Sequence, residues 1–193
     1  MQTEKFHLRL ATTGDVPALT HLIERSVREL QASDYSSEQR EGALGTVFGV
    51  DTQLIDDRTY FVIEAVNTIV ACGGWSRRKT PFGSDHGPAR DSDLLNPETD
   101  AAKIRAFFVH PDWARKGLGT MILQACEQAA ANAGFAKLEM TATLTGIRFY
   151  ETHGYRRGEE FEIELANGST LLVVKMQKDF AEPRPEKENP IPS

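Results

Sequence analysis

The sequence predicts a single mixed α/β domain, and three observations lead to this fold class. The 193 residues are 40% hydrophobic, which is enough to build one sizeable core. Segments with the two-residue period of strands alternate with segments of helical period. Residues 104–119, IRAFFVHPDWARKGLG, carry an apolar strand through a basic turn into a helix. We therefore place one domain over residues 1–180.

The N-terminal part predicts one strand followed by two helices. Residues 6–10 alternate between apolar and polar side chains, as in a half-buried strand. Asp15 is positioned to cap the helix that follows, which has an apolar stripe. Ser36 and Gln39 resemble a capping box, so a second helix is expected from about Ser37 toward residue 44 or beyond.

A hairpin and a long loop come next. Residues 60–66 and 69–75 are rich in strand-forming residues, with Asn67 and Thr68 as the expected turn. Residues 77–102 then combine prolines, glycines and charges with few apolar residues. A loop of this length inside a domain is usually functional or disordered.

The C-terminal part alternates helices and strands. The helix after the glycine turn runs toward Gly134, and it is followed by a strand over 136–143 and a short helix over 146–153. Strands over 155–165 and 171–176 flank Asn167-Gly168, a type I′ hairpin signal. Residues 181–193 are proline-rich and are expected to be a disordered tail.

Composition argues against several protein classes. The formal charge of −6 disfavours a nucleic-acid partner, because such binding requires surplus Lys and Arg. Two cysteines are too few for a disulfide framework or a structural zinc site, and the five histidines show no metal-ligand spacing. The first residues lack a signal-peptide core and no apolar run is long enough for a bilayer. We therefore expect a cytoplasmic protein with no membrane partner and no metal.

The turn at residues 115–120 has the chemistry of a pyrophosphate site. The first N–H groups of a helix lack intrahelical acceptors and carry the positive end of the helix dipole. Gly117 and Gly119 allow close backbone approach, and Arg115 and Lys116 add positive charge. The alternative of an isolated tight turn before a helix remains open on these residues alone.

A dinucleotide-binding fold is a weaker alternative. Its G-x-G-x-x-G fingerprint would need a glycine where Ile122 stands, and seven residues separate the strand from Gly117. Glu139 does lie near the position of a ribose-binding acid, so this alternative is kept. A P-loop is absent, because no Lys-Ser or Lys-Thr follows the glycines.

A second motif, TATLTGIRFYETHGYR at residues 141–156, makes the alternative of an isolated tight turn less favoured. Together the two motifs resemble the GNAT superfamily of acyl-CoA-dependent N-acetyltransferases, over residues 6–178. The resemblance implies a mixed, mostly antiparallel central sheet flanked by helices, and acetyl-CoA as the acyl donor. Two positions depart from the family pattern: Ala114 stands where Arg or Gln is usual, and Thr143 where many members have a cofactor-contacting Asn.

The resemblance also implies roles for individual residues. The strand at 107–109 would diverge from its neighbour, so that its main chain contacts the pantetheine arm and a backbone N–H near Val109 stabilises the oxyanion. Thr120 would add its hydroxyl to the pyrophosphate site, and Tyr150 would protonate the leaving thiolate. The implied cofactor-binding residues are Phe107, Phe108, Val109, Arg115, Lys116, Gly117, Leu118, Gly119, Thr120 and Thr143.

The general base is not readable from the sequence. Glu139 is preferred because its strand neighbours the motif strand, and it joins Tyr150 as the second expected catalytic residue. The other candidates are Glu24, Glu29, Asp34 and His110. A covalent cysteine mechanism is disfavoured, since Cys126 falls on an apolar helix stripe and Cys72 has no nearby histidine.

We therefore expect direct acetyl transfer in a ternary complex, from acetyl-CoA to a primary amine on a small molecule or peptide. The loop at 77–102 is a candidate acceptor rim, and Arg77-Arg78-Lys79 at its entry are either acceptor contacts or solvated charges. The alternatives are a non-catalytic acyl-CoA-binding regulatory module and, less favoured, a nucleotide-binding oxidoreductase. Relatives by resemblance are often dimers, so a homodimer is one expectation, although nothing in the sequence marks an interface.

Overall fold

A seven-stranded sheet organises the protein in the computed structural model, which describes residues 5–180. Its strands are His7–Leu10 (β1), Tyr60–Ala65 (β2), Thr68–Ser76 (β3), Ala102–Val109 (β4), Lys137–Thr143 (β5), Arg156–Glu164 (β6) and Thr170–Asp179 (β7). Their order is β1-β2-β3-β4-β5-β7-β6. The helices are Val16–Leu30 (α1), Ser37–Ala43 (α2), Thr52–Asp56 (α3), Leu118–Asn132 (α4) and Ile147–Thr152 (α5).

Every neighbouring pair of strands is antiparallel except β4 and β5, which are parallel. This confirms the mixed, mostly antiparallel sheet. It also shows that the dinucleotide-binding alternative is wrong, because that fold needs a largely parallel, doubly wound sheet.

The β4–β5 pairing covers only the first part of both strands. Ala102 pairs with Leu138 and Lys103 with Glu139, and the two strands have no registered pair after that point. Beyond Lys103, β4 carries a bulge: Gly74 lies opposite Arg105 while Cys72 lies opposite Phe108, and Ala106 has a φ of 57°. An extra residue in one strand bends it, so β4 turns away from β5 and opens a gap in the sheet.

Each face of the sheet has its own core. On one face α4 packs through Leu118, Ile122 and Cys126 against residues that include Ala102 and Ile104 of β4. On the other face α1 packs through Leu19, Leu22 and Ile23 against residues that include Phe108 of β4. The extra residue between Arg105 and Phe108 reverses the strand alternation, so β4 contributes Ala102 and Ile104 to one core and Phe108 to the other.

Several local predictions need correction. The Asp15 carboxylate does not cap α1; it pairs with Arg9 and accepts hydrogen bonds from the Thr12 N–H and hydroxyl. The short α3 was missed because a single turn leaves almost no periodic signal. The capping box is confirmed, since Ser36 Oγ accepts from the Gln39 N–H and Gln39 Oε1 from the Ser36 N–H, but α2 ends at Ala43.

Both hairpin turns also differ from the prediction. In the first, Val66 and Asn67 both have positive φ, so the turn lies one residue earlier than expected. In the second, only Gly168 has positive φ, and its N–H donates to the Leu165 carbonyl at 2.9 Å. This is a turn closed by one left-handed glycine rather than a type I′ turn, which requires two residues of positive φ.

The predicted long loop is ordered and ends at residue 101. Arg78 donates two hydrogen bonds to the Asp57 carboxylate, at 2.6 and 2.7 Å. The backbone N–H groups of Lys79 and Thr80 donate to the carbonyls of Asp93 and Asp91, so the loop folds back on itself. The predicted tail at 181–193 lies outside the described residues. Within residues 5–180, no helix combines the length and apolarity needed to cross a bilayer.

Candidate functional site

The N-terminus of α4 presents unpaired backbone donors. The first i to i−4 bond of the helix runs from the Met121 N–H to the Gly117 carbonyl at 3.1 Å. The N–H groups of Leu118, Gly119 and Thr120 therefore have no hydrogen-bond acceptor within the helix. Gly117 has a φ of 80° and Arg115 a φ of 62°, both in the left-handed region. Alternation of left- and right-handed residues turns successive N–H groups toward one point and forms an anion-binding concavity.

The two basic residues of the turn have different surroundings. Arg115 is exposed and lines a large cavity that begins at the α4 N-terminus. Lys116 is also exposed, but its Nζ lies 4.3 Å from the centroid of the Trp113 ring, a cation–π distance. Lys116 does not line the cavity, so the structure brings only Arg115 of the two to the expected phosphate position.

Gly119 joins the two sequence motifs in space. A Cβ at this position would lie 3.2 Å from Cζ of Phe149, so the absence of a side chain lets α5 pack against the start of α4. The Phe149 and Tyr150 rings are in turn 5.0 Å apart in an edge-to-face arrangement. The pairing of motifs inferred from sequence is therefore a direct contact.

Thr120 has a different hydrogen bond from the expected one. His153 Nδ1 lies 2.8 Å from the Phe149 carbonyl, which can only accept, so this nitrogen carries the proton. The Thr120 hydroxyl and His153 Nε2 lie 3.1 Å apart and are hydrogen-bonded. The Thr120 hydroxyl is therefore engaged with His153, while its backbone N–H belongs to the first turn of α4.

The gap between β4 and β5 opens into a cavity of about 720 Å³ that is lined from both faces of the sheet. The α4 face contributes residues from Arg115 to Thr120 together with Tyr150. The other face contributes residues from α1, from the segment at 47–49 and from the loop at 81–83. The cavity is therefore continuous between the α4 face and the α1 face of the sheet.

The main chain of β4 faces this gap. His110 N–H donates to the Val70 carbonyl at 2.8 Å, and Val109 lies opposite Ala71 in the same antiparallel ladder. Hydrogen-bonded and non-bonded pairs alternate along such a ladder, so the Val109 N–H points away from β3 and toward the gap. The side chains of Phe107 and Phe108 pack against Tyr150 and Phe48 respectively.

Tyr150 lies in an aromatic setting at the cavity wall. Its ring centroid is 6.2 Å from that of Phe107 and 5.8 Å from that of Tyr155. Burial, with a smaller contribution from Cys126, raises the pKa of Tyr150 above its ordinary value. The phenol is therefore protonated at neutral pH and available as a proton donor.

Glu139 has an environment that does not suit a general base. Its carboxylate pairs with Lys103 and with Lys175, the latter at 3.2 Å, and accepts from Gln177 Nε2. Burial alone would raise the pKa of Glu139, but the two lysines outweigh it and lower the pKa. Glu139 is also absent from the cavity lining. It stabilises the β4–β5 junction and does not reach the cavity.

The other candidate bases are likewise engaged outside the cavity. Glu24 and Glu29 pair with Arg28 and Arg25 on α1, and the Asp34 carboxylate accepts from the Thr145 hydroxyl at 2.6 Å. His110 Nε2 lies 2.8 Å from Arg25 Nη1. No Asp, Glu or His among the described residues lines the cavity, where the titratable side chains are Arg105, Arg115, Arg148 and Tyr150.

Both cysteines are core residues. Cys126 is fully buried on α4, and burial raises its pKa. Cys72 is also buried, and burial raises its pKa to about 12 while the Tyr60 hydroxyl lies 3.3 Å from its sulfur. Neither thiol is positioned as a nucleophile. Within residues 5–180, no three His, Cys, Asp or Glu side chains are grouped closely enough to hold a metal ion.

Sequence reasoning missed a buried charge cluster beside the cavity, made of Arg105, Asp51 and Arg90. The Arg105 side chain is 3% exposed, and its Nη2 lies 2.7 Å from Asp51 Oδ2. Arg90 Nη1 donates to Asp51 Oδ1 at 2.9 Å. Burial lowers the pKa of Arg105, an effect that Asp51 opposes. An arginine inside an otherwise apolar strand was the available signal.

Comparison with known proteins gives consistent results. The acetyltransferase (GNAT) domain family matches residues 56–157. An amino-acid acetyltransferase from Mannheimia succiniciproducens is 24% identical over 94% of this chain, and the chain spans only about a third of that relative, 34%.

Solved structures share the fold. A GCN5-related N-acetyltransferase from Rhodopseudomonas palustris superposes with a TM-score of 0.68 at 19% identity, covering 93% of this chain and 99% of that one. The putative acetyltransferase YncA from Salmonella typhimurium, solved with its cofactor acetyl-CoA, has a TM-score of 0.62 at 15% identity, covering 96% and 99%.

Proposed function

Since this chain belongs to the GNAT acetyltransferase family, we propose that it transfers an acetyl group from acetyl-CoA to a primary amine by direct attack in a ternary complex. One observation carries the proposal: a single cavity joins the unpaired donors at the α4 N-terminus, the open edge of β4 and the buried phenol of Tyr150. These are an anion site, a main-chain docking edge and a proton donor in the order that an acyl-CoA thioester requires.

The α4 N-terminus binds the pyrophosphate in this proposal. The N–H groups of Leu118, Gly119 and Thr120 donate to phosphate oxygens, and Arg115 adds a charge-assisted contact. Ala114, the residue before Arg115, has no side-chain donor, so the site depends on the backbone N–H groups and on Arg115. The edge of β4 at residues 107–109 then pairs with the amides of the pantetheine arm as an added strand would. Thr143 lines the same cavity and is retained as a contact to the arm.

The chemical step follows from the geometry of the gap. The amine nitrogen attacks the thioester carbonyl carbon, and the Val109 N–H stabilises the oxygen of the tetrahedral intermediate. The carbon–sulfur bond then breaks, and the Tyr150 hydroxyl gives its proton to the departing thiolate. The proton lost by the amine passes to water, because the described lining offers no carboxylate or imidazole. The surrounding arginines disfavour an ammonium and so favour the neutral, nucleophilic amine.

The test is acceptor-dependent release of the coenzyme A thiol, measured across a panel of primary amines. We expect Tyr150→Phe to lower kcat by about 10²- to 10⁴-fold, with acetyl-CoA affinity measured by calorimetry nearly unchanged. Tyr155→Phe is the matched control: it removes a hydrogen bond to Glu127 from a neighbouring buried ring outside the cavity lining, and turnover should persist. Equal turnover of Tyr150→Phe and the native protein would remove the acid role of Tyr150.

The same assay addresses the non-catalytic alternative. A regulatory acyl-CoA-binding module would bind acetyl-CoA and release no thiol with any amine of the panel. That result would reject acetyl transfer while leaving the pyrophosphate site intact.

A further inference from the structure

The end of the cavity remote from the phosphate site contains buried polar atoms without partners. Nε of Arg105 and Oε1 of Gln31 are both inaccessible to solvent and have no hydrogen-bond partner. Both residues line the cavity, and Gln31 is only 6% exposed. An unsatisfied buried donor or acceptor costs free energy, so the hydrogen bonding of both side chains is incomplete at this end of the cavity.

The geometry places the Arg105 head at the cavity wall. Nη2 donates to the Gly83 carbonyl at 2.8 Å, and Gly83 itself lines the cavity. Arg105 directly follows Ile104, which packs under α4, so strand alternation puts Arg105 on the opposite face of the sheet. Arg105 therefore lies on the α1 side, away from the turn at residues 115–120.

The charges around Arg105 are unbalanced. Asp51 is shared between Arg105 and Arg90, so one carboxylate faces two guanidinium groups. Asp51 also accepts from the Gln53 N–H at the start of α3, and Asp85 nearby is engaged with the N–H and hydroxyl of Thr52. Because Arg105 shares the Asp51 carboxylate with Arg90, its positive charge is only partly neutralised, which favours binding of a further anion. Guanidinium groups bind carboxylates in a fixed fork geometry.

The same lining argues against a polycationic acceptor. No acidic side chain among the described residues reaches the cavity, whereas Arg105, Arg115 and Arg148 do. A polyamine or aminated sugar would find no counter-charge there. A ligand that also carries an acid group would instead meet a lining whose charged side chains are all arginines.

We propose that the acceptor is an amino acid or a similar amine bearing a carboxylate, and that Arg105 binds this carboxylate and sets the specificity of the acceptor site. The inference rests on the proposed acetyl transfer and narrows its acceptor class. It also moves the acceptor contact away from Arg77-Arg78-Lys79, because Arg78 is bound to Asp57, Lys79 to Asp93, and none of the three lines the cavity.

The decisive measurement compares pairs of acceptors that differ only in charge: free L-amino acids and the corresponding amino-acid amides. Thiol release from acetyl-CoA gives kcat/KM for each member of a pair. The amide has the lower amine pKa, since it lacks the neighbouring negative charge, so amine basicity favours the amide at neutral pH. We expect the native protein nevertheless to prefer at least one free amino acid over its amide by about 10- to 100-fold. Equal or better turnover of every amide would overturn the inference.

A variant pair locates the effect. We expect Arg105→Gln to lower the ratio of kcat/KM for the free acid to kcat/KM for its amide to about one. The change should come chiefly from a higher KM for the free acid, with acetyl-CoA affinity retained. Lys79→Gln is the control: it breaks an exposed ion pair of the loop at 77–101, outside the cavity, and should keep the native preference. An unchanged preference in a folded Arg105→Gln protein would contradict the role of Arg105. If that variant does not fold, the comparison of free amino acids with their amides on the native protein still tests whether the site prefers a carboxylate.

Failure of the inference and failure of the proposed function give different results. Thiol release with amides alone rejects the carboxylate and keeps acetyl transfer. If no acceptor releases thiol, the midpoint of thermal unfolding in the presence of coenzyme A is measured with each free acid and its amide. A larger stabilisation by the acid supports carboxylate binding without transfer, and equal shifts reject it.

Discussion

Gly117 shows at the scale of one residue why the turn before α4 needs a glycine. Its φ of 80° lies in the left-handed region, while a Cβ at this position would meet no atom within 4 Å. The requirement is therefore conformational and does not arise from crowding, in contrast to Gly119, whose Cβ would approach Phe149. Because the backbone conformation aims the donors, strain at Gly117 should affect binding as well as stability.

We expect Gly117→Ala to lower the free energy of unfolding by about 1 kcal/mol, through left-handed strain, and to weaken acetyl-CoA binding by about tenfold. Denaturant unfolding and calorimetry measure the two effects. Gly134→Ala is the matched control, since Gly134 ends the same helix with a φ of 89° and should show only the loss of stability. Equal acetyl-CoA affinities for both variants would argue against a backbone phosphate site at Gly117.

The loop at 77–101 shows at the scale of an element how an irregular segment is held in place. Asp57 follows α3, its side chain is 8% exposed, and it receives two hydrogen bonds from Arg78. Those bonds outweigh burial and lower the pKa of Asp57 below its ordinary value. The same loop supplies residues 81–83 to the cavity wall, so its anchoring supports the proposed acceptor site.

A lowered pKa in the folded state means that folding favours the charged carboxylate. The stabilisation from the Asp57–Arg78 pair is therefore complete above the unfolded-state pKa of about 3.9 and is lost as the pH falls through the lower folded-state pKa. We expect Asp57→Asn to lower the free energy of unfolding by about 1 to 3 kcal/mol between pH 5 and 7, and by progressively less below about pH 4.

Urea unfolding of both proteins at several pH values measures this difference. Asp93→Asn is the control from the same loop, because Asp93 is 73% exposed in its pair with Lys79 and should change stability by less than about 0.5 kcal/mol. A difference for Asp57→Asn that stays constant down to pH 2 would contradict the assigned ion pair.

The whole molecule is divided by the gap in its sheet. The strands β1 to β4 meet β5, β7 and β6 through two registered residue pairs and the Lys103–Glu139 ion pair. Tyr35, between α1 and α2, adds a bridge across the two parts: its hydroxyl donates to the Leu172 carbonyl at 2.6 Å and accepts from the Leu144 N–H at 2.9 Å. Contacts of this kind compensate for the pairing that is missing between β4 and β5.

We expect Tyr35→Phe to lower the free energy of unfolding by about 1 to 3 kcal/mol, because a partly buried carbonyl and a partly buried N–H lose their partner together. Denaturant unfolding measures the change. Ser33→Ala, which removes an exposed hydroxyl two residues away, should alter stability by less than about 0.5 kcal/mol. A Tyr35→Phe protein as stable as the native one would show that the bridge contributes little.

Features carried by contiguous residues were predictable from the sequence. The strand–turn–helix at 104–119, the capping box at Ser36 and the helix ending at Gly134 each depend on local backbone chemistry, and all three are present. Local signals were insufficient where another residue competes for a side chain: Arg9 binds the Asp15 carboxylate that was expected to cap the helix, and the Thr120 hydroxyl is hydrogen-bonded to His153.

The sequence by itself determined the α/β class, the family resemblance and the glycine turn that begins α4, because short-range periodicity and glycine positions specify them. Only the tertiary structure decided that Glu139 is held by two lysines, that Arg105 reaches the cavity, and that β4 diverges from β5 after Lys103. Those outcomes depend on residues far apart in the chain, whose burial and charge balance exist only once the sheet and its two cores have formed.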